Sequence, residues 1–169
     1  MKIKLFTIFL TFIVCPGKAQ DFWIPLTKPT TSNLYSLAVT SDNIVFAGNA
    51  TNGVYASHDE GLTWTQCGFL DYSGVYSLVC HEDILYAGTS AGLYKSIDYG
   101  NSWTLIHNSD GNVITIYVKS EQEIFIGGWG WICVTNDGGQ NWTQTLTLDN
   151  TRAIKSIIRH PSGVILAGV

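Results

Sequence analysis

The chain has 169 residues with 9 Lys+Arg against 13 Asp+Glu, and its formal net charge is −4. No basic stripe is present to neutralise phosphates, which excludes a nucleic-acid binder. The same deficit of cations argues against docking on an anionic membrane surface.

Met1 to Ala19 carries Lys2 and Lys4, then the apolar run Leu5 to Val14, then Cys15-Pro16-Gly17-Lys18-Ala19. A basic start, a short apolar run and small residues at a cleavage region predict a secretory signal over 1–19, cut after Ala19 or Gln20. The run is too short to span a bilayer. Lipidation would use Cys15, but Val14 before it is larger than the small residue such sites normally have. Without Lys2, Lys4 and Lys18, six cations face the same 13 acids, a net of −7. The expected location is therefore periplasmic, cell-surface or extracellular, with no membrane span.

From Phe22 onward the pattern is short strands and turn signals, with no sustained helical periodicity. Trp23-Ile24-Pro25-Leu26 reads as an isolated strand within an N-terminal segment, 20–33. Residues 34–169 then repeat a set of four strands. Val75–Cys80, Ile84–Gly88, Gly92–Ser96 and Ser102–Ile106 are the clearest set. Leu34–Leu37, Ile44–Gly48, Gly53–Ser57 and Thr63–Thr65 precede it, and Val113–Val118, Ile124–Gly127, Ile132–Val134 and Asn141–Thr143 follow. Ile154–Ile158 and Val164–Gly168 match the first two strands of a further set.

Between the third and fourth strands of each full set stands one eight-residue pattern. It reads Ser57-His58-Asp59-Glu60-Gly61-Leu62-Thr63-Trp64, then Ser96-Ile97-Asp98-Tyr99-Gly100-Asn101-Ser102-Trp103, then Thr135-Asn136-Asp137-Gly138-Gly139-Gln140-Asn141-Trp142. Trp64, Trp103 and Trp142 are each 39 residues apart, the mark of a repeat architecture. The aspartates Asp59, Asp98 and Asp137 are placed to accept main-chain N–H bonds and close a turn from inside. Gly61, Gly100 and Gly139 supply a residue free to take positive φ. Each Trp then opens a strand and offers a large ring to a neighbouring sheet.

This pattern resembles the Asp-box, or BNR, repeat of sialidase-like, sortilin-like, xyloglucanase-like and photosystem II assembly-factor-like β-propellers. The resemblance implies that the box is a structural corner remote from any active site. Four antiparallel strands per 39 residues is likewise a propeller blade. The expected fold is all-β: an arc of about three and a half blades, with Trp23–Leu26 completing the last blade of the ring. Since propellers close with about four to eight blades, the sequence reads as the N-terminal part of a longer protein.

Cys67, Cys80 and Cys133 occupy different repeat positions and read as small buried apolar residues, with room for one disulfide. No metal-ligand spacing occurs, so no metal, cofactor or catalytic residue is assigned. His58, His81, His107 and His160 lie in or beside turns and read as solvated. Asn49-Ala50-Thr51 and Asn141-Trp142-Thr143 match the glycosylation sequon, which matters only in a host that glycosylates.

The repeat also sorts the loops onto two faces. Box turns and first-to-second strand turns share one face; second-to-third strand loops and blade-to-blade connections share the other. On the second face Asp71, Asp110 and Asp149 recur seven residues after each box Trp, and Trp129 and Trp131 replace the small residues of earlier sets. Closing inter-blade turns is the plain role of these aspartates, and covering an inter-blade groove that of the tryptophans. A ligand face for a protein or a carbohydrate is the functional alternative. A sialidase-like enzyme needs three arginines on the substrate carboxylate, and after the signal only Arg152 and Arg159 remain. The sequence therefore favours a secreted, non-catalytic binding or scaffold propeller. The N-terminal part of an Asp-box glycoside hydrolase is the alternative.

Overall fold

The computed structural model describes residues 3–5, 23–26, 28–68, 74–149 and 151–169. Regular structure among them is all β. Two short strands, β1 (Ile3–Leu5) and β2 (Trp23–Pro25), pair in parallel. The strand expected at Trp23–Leu26 is thus present as β2, beside β1. Residues 6–19 of the expected signal lie outside the described residues.

Three antiparallel four-stranded meanders follow. The first holds β3 (Leu34–Val39), β4 (Val45–Asn49), β5 (Gly53–Ser57) and β6 (Thr65–Gln66) in that order. The second holds β7 (Val75–His81), β8 (Ile84–Thr89), β9 (Gly92–Ser96) and β10 (Thr104–Asn108). The third holds β11 (Thr115–Val118), β12 (Ile124–Gly127), β13 (Trp131–Thr135) and β14 (Thr143–Thr147). β15 (Ser156–Arg159) and β16 (Ile165–Gly168) form a two-stranded sheet. Successive first strands touch, β3 with β7, β7 with β11 and β11 with β15. That is the arrangement of propeller blades around an axis, and among the described residues the arc is open.

Packing follows from the period of two. Neighbouring residues of a strand face opposite sides of the sheet. The second and third blades are covered on both sides, whereas Tyr35, Leu37 and Val39 on β3 of the first are exposed. Leu85 and Ala87 of β8 join Phe46, Val54 and Val75 in the core between the first two blades. Tyr86, between them in sequence, joins Leu93, Ile124 and Ile126 in the core between the second and third. Ile132, Ile154 and Ile157 form the next interface. Burial on both faces explains why the second strands read as near-continuous apolar runs. Each fully buried aliphatic or Phe side chain contributes roughly 1.5–3 kcal/mol.

The second strands of the three blades carry a glycine at their last or next-to-last residue because the next blade arrives there. A Cβ at Gly48 would lie 2.7 Å from Val75 Cγ1, and one at Gly127 would lie 2.9 Å from Ile154 Cβ. These close approaches set the spacing between blades.

Two expectations need correction. Trp64, Trp103 and Trp142 stand just before β6, β10 and β14 and do not open them, because each indole turns back into its own corner. Cys67, Cys80 and Cys133 are free thiols, and only Cys133 is buried. Burial still raises the Cys67 thiol to about 11.

Candidate functional site

The repeated octapeptide builds the same corner three times, and every constant position has a bond. In the first corner the Ser57 hydroxyl donates to Asp59 Oδ1 at 2.8 Å and accepts from Gly61 N–H at 2.7 Å. Asp59 Oδ1 also accepts Thr63 N–H at 2.8 Å, and its Oδ2 accepts the Thr63 hydroxyl. Ser96, Asp98, Gly100 and Ser102 repeat this set. So do Thr135, Asp137, Gly139 and Asn141, where an amide replaces the hydroxyl at the seventh place. The glycines take φ of 89°, 81° and 96°. Trp64, Trp103 and Trp142 each donate the indole N–H to the carbonyl of their own corner glycine. The first and seventh positions, noted in the sequence only as constant, thus supply the donors to the carboxylate.

Those donors hold the acids ionised. The Thr63 hydroxyl and amide, with Ser57, lower Asp59 to about 2. The Asn141 amide and side chain, with Thr135, lower Asp137 to about 2. Asp98 is lowered for the same reason, chiefly by Ser102. Each carboxylate accepts three bonds inside its own turn, two on Oδ1 and one on Oδ2.

Corners and first-to-second strand turns do share a face. Gly138 N–H donates to Gln122 O at 3.0 Å, the Tyr99 hydroxyl donates to Asp42 at 3.1 Å, and Asp83 accepts from Ser41 N–H at 2.7 Å.

The opposite face carries a groove of about 490 Å³ between the second and third blades, lined by His107, Asp110, Trp129, Trp131, Gln144 and their neighbours. Three of the five residues singled out on this face, Asp110, Trp129 and Trp131, therefore meet in one place. Asp149 is elsewhere: its carboxylate closes its own turn by accepting Thr151 N–H at 3.3 Å and the Thr151 hydroxyl. Asp71 lies outside the described residues. Trp129 is 48% exposed, whereas Trp131 is half-buried.

His107 is the residue that sequence reading missed. It lies in β10 rather than in a solvated turn, its ring centroid 4.7 Å from Trp142 and 6.4 Å from Trp131. Burial lowers its pKa and favours the neutral ring. The available signal was its place four residues after a box tryptophan in a 39-residue repeat, within the fourth strand rather than the loop.

The loop bearing the tryptophans is clasped by the following connection. Gly130 N–H donates to Arg152 O at 2.8 Å, Leu148 N–H to Gly130 O at 2.6 Å and Ile154 N–H to Gly128 O at 2.9 Å. Trp129 and Ala153 form an isolated antiparallel bridge. Among the described residues no three His, Cys, Asp or Glu side chains are grouped to hold a metal. No helix there is long and apolar enough to cross a membrane.

No family model and no curated protein matches the sequence. Solved structures do match. The extracellular domain of the hybrid two-component system BT4673 from B. thetaiotaomicron is 22% identical with a TM-score of 0.69, covering 90% of this chain and 21% of that one. An ancestral GH74 enzyme is 18% identical with a TM-score of 0.65, covering 80% and 21%. YCF48 from Cyanidioschyzon merolae is 21% identical with a TM-score of 0.66, covering 83% and 51%. The chain thus spans about a fifth of the first two proteins and about half of the third. At these identities the likeness shows the fold alone, and that fold is a β-propeller.

Proposed function

We propose that the chain is a secreted, non-catalytic propeller module of the Asp-box type that binds a protein or glycan partner on its loop face. The observation that carries this reading is the groove at Trp129 and Trp131. Three blades share their corners, their interfaces and their glycines, and the third departs from the repeat where two tryptophans border an open groove. A ring repeated for structure and varied at one groove is a scaffold presenting a site.

The lining also bears on the hydrolase alternative. Glycosidases use two carboxylates about 5–10 Å apart, and Asp110 is the one carboxylate among the groove's described lining residues. Structural neighbours lend general support: one is an extracellular domain, and YCF48 has been solved bound to the D1 peptide, with a TM-score of 0.65. The signal-like segment 1–19 supports export.

A capture screen of the full-length protein against glycans and surface proteins tests the proposal, with Trp129→Ala/Trp131→Ala as the comparison and circular dichroism to verify folding. Loss of a central aromatic anchor should weaken capture about 30-fold. Unchanged capture by a folded double variant would remove the groove from the function.

A further inference from the structure

We infer that this groove takes an uncharged sugar ring, stacked on Trp129 and bonded through its hydroxyls to the polar side chains around Asp110. The inference rests on the reading of the chain as a binding module and narrows it to one class of ligand.

The groove arises from a change in one blade. Trp131 stands at the register position of Gly53 and Gly92. At Gly92 a Cβ would lie 2.0 Å from His107 O, so the second blade is closed there. In the third blade the Trp131 indole lies back over Gly128, where a Cβ would meet Cε2 and Cζ2 at 2.3 Å. Its Nε1 comes 3.8 Å from where a Cβ of Gly111 would stand. The space between residues 107–111 and the third blade is left open. Because three main-chain hydrogen bonds clasp the tryptophan loop to residues 148–154, its backbone is held in place before any ligand arrives, which reduces the ordering cost of binding.

The chemistry of the lining selects the occupant. Its nine residues include no Lys or Arg, so an anionic group would meet the Asp110 carboxylate with no counter-charge. A cationic side chain would suit Asp110 but brings donors only, with no acceptor for the Asn108 amide N–H groups. The Ser109 hydroxyl already donates to Gly111 O, and Gln144 Nε2 to Leu146 O and Thr147 Oγ1. The Ser109 and Gln144 oxygens remain to accept, and Asn108 and a neutral imidazole can both donate and accept. Sugar hydroxyls do the same, and a pyranose also has an apolar face suited to an exposed indole. A volume of about 490 Å³ falls in the range of about 300–1,000 Å³ typical of small-ligand sites.

Isothermal titration of the full-length protein against three probes tests this: neutral oligosaccharides of gluco, galacto, manno and xylo type, uronate-containing or sialylated oligosaccharides, and a lysine-rich peptide. The expected result is binding of a neutral oligosaccharide alone, weakened at least 10-fold by Trp129→Ala and 3- to 10-fold by Asp110→Asn. Neutral binding unchanged in both folded variants would overturn the inference. So would tighter binding of the anionic sugar or of the peptide, or capture of a surface protein through Trp129 with no sugar bound. In those three cases the binding-module reading survives. Absence of any partner, in this titration and in the capture screen alike, would sink both.

Discussion

The indole N–H of Trp142 donates to the carbonyl of Ile106 at 2.9 Å as well as to its own corner glycine at 3.2 Å. The corner of the third blade is thereby fastened to the outer strand of the second. The matching link one blade earlier uses the main chain, where Gly68 N–H donates to Gly100 O at 2.8 Å.

Trp142→Phe keeps an aromatic ring and removes both bonds, whereas Trp103→Phe removes the bond to Gly100. With each net bond contributing about 1 kcal/mol, Trp142→Phe should lose about 1 kcal/mol more than Trp103→Phe in denaturant melts. Both rings are only partly buried, so Trp→Ala should cost about 2–3 kcal/mol, below the ~3–5 of a fully buried indole. Equal losses for the two Phe variants would remove the cross-blade bond as a stabilising feature.

The corner aspartates predict an acid limit. Asp59 and Asp137 titrate at about 2 when folded, against about 3.9 in an unfolded chain. The unfolded state binds more protons between these values. Their contribution is therefore fully present above about pH 4 and is lost as pH falls through 2. Thermal melts from pH 5 to 2 should fall steeply for the native protein. Asp59→Asn should start lower at pH 5 and fall less; a slope matching the native one would show that this carboxylate does not govern acid stability.

His107 predicts a second, milder slope nearer neutrality. Burial lowers its pKa from 6.5, so the folded state binds fewer protons than the unfolded one just below that value. Stability from the neutral ring is complete above about pH 6.5 and declines as pH drops through the folded pKa. Proton NMR should find the His107 ring titrating below 6.5, and His107→Phe should flatten the melts between pH 7 and 5. A His107 resonance titrating above 6.5 would contradict the packing between Trp131 and Trp142.

Gly100 carries two constraints at once. Its φ is +81°, and a Cβ there would stand 3.3 Å from Cys67 Cβ and Sγ. Gly100→Ala should cost more than about 1 kcal/mol. Adding Cys67→Ala should recover the part due to the Sγ contact and leave the Cβ contact and the backbone strain. Strict additivity in that cycle would mean that the two blades do not meet at these atoms.

Blade count, strand order and corner position were legible because each is repeated: alternation marks the strands, and a fixed spacing repeats the turn. The corner glycines and carboxylates were legible for the same reason. The groove was not, because it depends on what lies across an interface. Asp110 and Asp149 share a register, yet Thr151 supplies Asp149 with a hydroxyl and an amide two residues on. Asp110 is followed by Gly111 and Asn112 and faces the tryptophans of the next blade. His107 looked like a turn residue because Asn108 and Ser109 follow it. The strand nevertheless runs through Asn108, since Gly92 opposite admits the backbone closely.

The direction of the corner contacts has a consequence for biosynthesis. Gly100 rests on Cys67, Gly139 rests on Ile106, and Trp142 reaches back to Ile106. In each case a corner leans on the sheet that precedes it in the chain. A polypeptide emerging N-terminus first therefore always has the surface on which its next corner must seat. At about 5–20 residues per second, a 39-residue unit follows its predecessor by about 2–8 s, far longer than hairpin closure takes. Each blade can settle against a finished template before the next appears, so the ring grows by addition at one end instead of collapsing all at once.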